Sequence, residues 1–112
     1  MDIEEDERDG VSIIAPKGRL DINTAPEAEA VLIPKFDGGS GVVVDFAGLT
    51  YISSAGLRIL LIAAKRSKAS GVPLALANLA PAILEVFEVS GFAKLFKIAG
   101  DRDAALKLVS EG

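Results

Sequence analysis

Apolar positions along this chain fall into short blocks of two kinds, extended and helical, separated by Gly- and Pro-containing breaks. The Asp9-Gly10 dipeptide lies between two extended stretches, Met1 to Arg8 and Val11 to Pro16, and predicts a hairpin. The first stretch is dense with charge, as suits an exposed edge strand. Asn23-Thr24-Ala25-Pro26-Glu27 places a hydroxyl before a first-turn proline, with a Glu three residues on from the Thr. That arrangement predicts a helix running to about Phe36. Asp37-Gly38-Gly39-Ser40-Gly41 then reads as a loop; its glycines lack the Lys and spacing of a phosphate-binding loop.

Gly41-Val42-Val43-Val44-Asp45 is a β-branched run without alternation, the pattern of a central strand covered on both faces. After a second loop, Ser53 opens a helix carrying Leu57, Ile59, Leu60, Leu61, Ile62, Ala63 and Ala64. It passes Lys65 and Arg66 and stops at Ser70-Gly71. Val72 to Ala77 predicts a strand, and Ala80 to Val89 a helix with Pro81 near its start. Leu95 to Ala99 predicts a short strand, and Asp101 to Ser110 a last amphipathic helix with Asp101 and Asp103 at its positive end. The order is β-β-α-β-α-β-α-β-α. Alternation at this spacing implies right-handed crossovers, hence an α/β domain over residues 1–112. It has four helices and a mostly parallel sheet with an antiparallel edge hairpin.

Composition narrows the chemistry. Half the residues are apolar and a quarter charged, the balance of a folded chain. There is no histidine and no cysteine, which excludes Ser-His-Asp and Cys-His catalysis, imidazole or thiolate metal sites, and disulfides. The net charge of −4 is unevenly placed. Asp2, Glu4, Glu5, Asp6, Glu7 and Asp9 stand against Arg8 alone, while the residues from Gly10 onward hold ten acids and eleven bases. A near-neutral body with few aromatics is ill suited to gripping nucleic acid. The N-terminus is acidic where a signal peptide is basic, and the longest apolar run, Ile59 to Ala64, is far below the roughly 20 residues of a membrane span. A soluble cytoplasmic protein without cofactor or metal is expected.

In open α/β sheets, function gathers in the loops beyond the strands' carboxyl ends. Here that loop reads Asp45-Phe46-Ala47-Gly48-Leu49-Thr50-Tyr51-Ile52-Ser53-Ser54-Ala55-Gly56-Leu57-Arg58. Ser53 sits where a helix cap accepts an orphan N–H. Ser54, at the first helical position, has no such duty, and a phosphate there would meet free N–H groups and the positive end of the helix dipole. Two serines at a helix start also occur simply as a cap and a filler. Gly56 inside the first turn costs about 1 kcal/mol relative to Ala, so either another molecule approaches it or the helix packs closely on the sheet.

The block from Asp45 to Leu60 resembles the signature of STAS domains, specifically bacterial anti-sigma-factor antagonists. Gly18-Arg19-Leu20-Asp21 with Thr24 and Ala25, and Phe87-Glu88-Val89-Ser90-Gly91-Phe92 with Leu95-Phe96, resemble further family segments in the right order. The resemblance implies that Ser54 is a phosphoacceptor and that Asp21 is a loop carboxylate near it that helps kinase engagement. It also implies partner contacts through Asn23, Thr24, Ser53, Ala55, Gly56, Leu57 and Arg58; Leu57 and Arg58, in the first turn, are expected to be exposed and suited to contact. Two positions depart from the family pattern: Ser53 replaces a frequent Asp, and Arg58 a frequent second glycine. Ala55 leaves Ser54 as the sole matching acceptor.

The role so implied is a non-enzymatic partner switch. The unmodified domain, a monomer, binds an anti-sigma-factor serine kinase; phosphorylation of Ser54 releases it, and a PP2C-type phosphatase resets it. The resemblance also implies two alternatives for this chain, a STAS subunit of a lipid-transport ABC complex or a nucleotide-binding STAS module. Catalysis by the chain itself is disfavoured, because the strand-end loops offer only Asp21, Asp45 and Ser54, with no base to activate the hydroxyl.

Overall fold

A computed structural model describes residues 1–111. Strands β1 (Asp2–Arg8) and β2 (Val11–Leu20) form the antiparallel hairpin, with Arg8 facing Val11 across the turn. Asp9 and Gly10 both take positive φ, 52° and 84°, as a two-residue turn matching the strands' twist requires. Helix α1 (Ala25–Leu32) follows, then a 3-10 turn over Ile33–Asp37, strand β3 (Gly41–Asp45), strand β4 (Leu49–Ile52) and helix α2 (Ser54–Ser70). The chain continues through β5 (Leu74–Ala77), α3 (Pro81–Ser90), a 3-10 turn over Phe92–Leu95, β6 (Lys97–Ala99) and α4 (Arg102–Glu111). The strands lie in the order β1-β2-β3-β5-β6, parallel from β2 onward, and β4 pairs in parallel with the far end of β2.

Several elements differ from the sequence reading for physical reasons; β5, for one, begins at Leu74 rather than Val72, after Pro73, which has no N–H to give the ladder. Helix α1 ends at Leu32 rather than near Phe36, because Pro34 has no N–H to continue the α ladder and the chain tightens into a 3-10 turn. Strand β2 runs on to Leu20, past Pro16. The ladder shifts register between Gly18 and Arg19, a bulge that bends β2 away from β3 and onto β4. Strand β4 itself falls inside the segment read as loop. The last helix-to-strand segment begins with the 3-10 turn, so β6 holds only three residues.

The valine run is buried on both faces. Val42 and Val44 join Ile14, Phe36, Phe46, Leu60, Leu76 and Phe87 in the larger core, beneath α1, α2 and α3. Val43 points the other way, to Val11, Ile13, Ala75, Ala77, Ala105 and Val109, beneath α4. Phe87 anchors α3 by edge-on contacts with Phe46 and Phe96, at ring separations of 6.2 and 5.5 Å. Strand β1 is the exposed acidic edge, but its charges are partly engaged: Glu5 pairs with Lys35 at 2.8 Å and Glu4 lies 3.7 Å from Lys17.

Candidate functional site

The carboxyl ends of β2 and β4 deliver two loops to one place. Leu20 faces Ile52 across the ladder, and the Leu20 carbonyl accepts a hydrogen bond from the Ser53 N–H at 2.9 Å. Asp21 and Ser53 therefore leave neighbouring strand ends side by side, and α2 starts at once. Ser53 is the N-cap, with extended backbone, and its Oγ accepts from the Gly56 N–H at 3.4 Å. Its carbonyl accepts the first helical bond, from the Leu57 N–H at 2.9 Å. Ser54 begins the helix, is exposed, and its hydroxyl makes no hydrogen bond with the described residues.

These two serines do different things. The long cap bond puts Ser53→Ala near the low end of capping effects, a loss of about 0.5 kcal/mol, while Ser54→Ala should leave urea unfolding unchanged within about 0.3 kcal/mol. Equal losses in the two variants would contradict this division of labour.

Asp21 is mainly a turn former. Its Oδ1 accepts from the backbone N–H groups of Asn23 (3.0 Å) and Thr24 (3.3 Å), and its Oδ2 faces Arg19 Nε at 3.7 Å. Thr24 Oγ1 accepts from the Asp21 N–H at 2.9 Å and donates to the Arg19 carbonyl at 2.8 Å. It does not cap α1 by its side chain, because Pro26 removes one candidate donor and the Glu27 N–H goes to the Thr24 carbonyl. No hydrogen bond joins Asp21 to Ser54; strand pairing alone holds the two loops together. Asn23 is exposed and Ala55 half-buried.

Gly56 and Leu57 are buried, and the expected exposure of Leu57 is corrected: it keeps only 9 % of its surface and belongs to the larger core. With Leu60 three residues on, it lies on the inward stripe of α2, which outweighs its place near the helix start. Gly56 is there for packing. A Cβ at this position would stand 2.8 Å from both Ile52 Cγ1 and Leu20 Cγ, and 2.9 Å from the Leu20 carbonyl oxygen. The absent side chain lets α2 sit directly on the β2–β4 ladder and fixes where Ser54 emerges. Arg58 is exposed, as expected.

Sequence reasoning missed two features and placed a third, Asp45, among the groups offered by the loops. Arg19 stacks over the Tyr51 ring at 4.1 Å, as direct partners across β2 and β4, a facing that only the pairing of β4 with β2 creates. Ile22, between the turn residues Asp21 and Asn23, leaves 76 % of its surface exposed beside the site. Finally, Asp45 at the end of β3 is a buried carboxylate. Its Oδ1 accepts from Asn78 Nδ2 (2.9 Å) and the Ala47 N–H (3.0 Å), and its Oδ2 from Arg102 Nε (3.0 Å) and Nη2 (2.9 Å). Burial pushes its carboxyl pKa up. The hydrogen bonds from Asn78, Ala47 and Arg102, with the Arg102 charge, outweigh that and hold it below the ordinary value of 3.8. Asp45 thus ties β3, the loop after β5 and α4 together and is not free for chemistry.

Among the described residues no group of acids could hold a metal ion, and no helix is long and apolar enough to cross a membrane.

A family model, the STAS domain, matches residues 2–105. The chain is 41% identical over 106 residues to a Bordetella bronchiseptica protein named "Putative anti-sigma factor antagonist BtrV", a match covering 94% of this chain and 91% of the relative. Among solved structures, an anti-sigma factor antagonist from Thermotoga maritima, described as putative, superposes with a TM-score of 0.89 at 20% identity, covering 96% of this chain and 93% of that one. The Bacillus cell fate determinant SpoIIAA in its phosphorylated form superposes at 0.74 with 18% identity, covering 96% and 99%.

Proposed function

This chain belongs to the STAS domain family, among its anti-sigma factor antagonists, and on that premise we propose that it is a phosphorylation-controlled partner switch. Unmodified, it binds an anti-sigma-factor serine kinase in the cytoplasm. The kinase transfers the γ-phosphoryl group of ATP to Ser54 Oγ, the hydroxyl proton is lost and ADP leaves. The modified domain then separates, and a PP2C-type phosphatase hydrolyses the phosphoester to restore it. The chain is the substrate and performs no catalysis itself.

One observation carries this reading: the site holds two adjacent serines, and only Ser54 is exposed with its hydroxyl free. The phosphorylated form known for SpoIIAA supports it, since the same fold there bears a phosphate. The physics is that of charge at a contact surface. A phosphoserine brings about −1.5 to −2 charges into the middle of the docking face, where they must be paired or the interface breaks.

Capture of an ATPase from extract by the unmodified domain identifies the partner. Incubation with that ATPase and ATP should then add one phosphate, placed on Ser54 by mass spectrometry. Ser54→Ala should bind and stay unmodified, whereas Ser54→Asp should bind about 30-fold more weakly. Normal phosphorylation of Ser54→Ala, or unchanged binding by Ser54→Asp, would refute the switch.

A further inference from the structure

Four of the five arginines face a carboxylate: Arg8 lies 3.6 Å from Asp103, Arg19 3.7 Å from Asp21, Arg66 3.7 Å from Asp37, and Arg102 2.9 Å from Asp45. Arg58 is the exception, with no ion-pair partner among the described residues. None is at hand in its own stretch of chain either, since no acid occurs between Asp45 and Glu85. The position is also electrostatically poor. Arg58 is exposed one turn into α2, near the helix's positive end, whose first turn has no acidic residue. An unpaired cation there is mildly unfavourable in the unmodified protein.

Its relation to Ser54 removes the anomaly. The two residues are four apart on one exposed helix face, a spacing that in general sets Cβ atoms about 6 Å apart. Helical side chains lean toward the N-terminus, so a side chain at position 58 is within reach of the turn that carries Ser54. An anion at the first position and a cation four residues later is also the more favourable orientation of such a pair. The guanidinium fork matches two phosphate oxygens at once, which a lysine cannot do.

We propose that Arg58 is a built-in clamp for phosphorylated Ser54, holding the phosphate against α2 within the same chain. The clamp rests on the reading of Ser54 as phosphoacceptor and deepens it. Before modification the Arg58 cation is available to a partner's acidic surface. Afterwards it is turned inward to its own phosphate. One event then places an anion on the docking face and withdraws a cation from it, so release depends on both changes.

The test needs no kinase. Phosphoserine is installed at position 54 during translation, and the phosphate is titrated by phosphorus NMR in the parent, Arg58→Ala and Arg58→Lys chains. In the parent the second phosphate ionisation should fall about half a pH unit below that in Arg58→Ala, with Arg58→Lys in between. Amide spectra confirm that each chain is folded. The same midpoint in the parent and in folded Arg58→Ala would overturn the clamp. A captured ATPase that leaves Ser54 unmodified would instead overturn the switch reading, and the titration would still decide whether the pair forms.

Discussion

In urea unfolding, Gly56→Ala should be about 2 kcal/mol less stable than the parent, although the same change in an ordinary exposed helix gains about 1 kcal/mol. The sign is what matters. Alanine is the better helix former, so propensity alone predicts stabilisation. Packing predicts the reverse, because the new methyl group would lie under 3 Å from Ile52 Cγ1, Leu20 Cγ and the Leu20 carbonyl oxygen. Two of these are side chains that can shift; the third is backbone, held by its hydrogen bond from the Ser53 N–H. Relief requires α2 to lift from the sheet, moving the cap and the exposed serine together. Gly56→Val should therefore cost more and also weaken capture of the partner ATPase, whereas Ser54→Ala should do neither. A Gly56→Ala chain more stable than the parent would show that the close approach is not tight.

What the residue pattern revealed and what it hid follow from range of interaction. The valine run of β3, the cap at Ser53 and the stop at Gly71 are local signals, and each stands where the pattern puts it. Strand β4 is hidden because Leu49-Thr50-Tyr51-Ile52 has a buried-exposed-exposed-buried pattern without strict alternation, directly after a turn. Its partner is the end of β2, which reaches it only through the bulge at Gly18 and Arg19. Pro16 and Gly18 look like a strand's end in one dimension and form a bend in three.

The site divides the same way. Ser53 and Ser54 could be told apart from position alone, because capping is a matter of one helical turn. Leu57 could not be placed from its nearness to Ser54. Its burial is set by the inward stripe it shares with Leu60 and Ala63, and that stripe depends on where the sheet lies. The choice left open for Gly56, between a visiting molecule and the sheet, is settled by Leu20, a residue 36 positions earlier. The anomaly of Arg58 becomes visible only when every other arginine has been assigned its carboxylate.

Asp45→Asn should cost about 3 kcal/mol at pH 7, the cost of leaving a largely buried ion pair without its anion. The isosteric amide keeps the volume, so packing is not the variable. Asn retains one acceptor oxygen where the carboxylate has two, and it turns an NH₂ group toward donors from Asn78, Ala47 or Arg102. The pH dependence identifies the cause. The carboxyl is held below its ordinary value of 3.8 in the folded protein, so the unfolded chain takes up its proton first as pH falls. The stabilisation is complete above that ordinary range and is lost as pH drops through the lower, folded value. The gap between parent and Asp45→Asn, measured by urea unfolding from pH 7 downward, should hold to about pH 5 and narrow below about pH 4. Equal stability at neutral pH would remove Asp45 as the tie between β3, β5 and α4, and a gap that stays constant in acid would make the loss one of shape and not of charge.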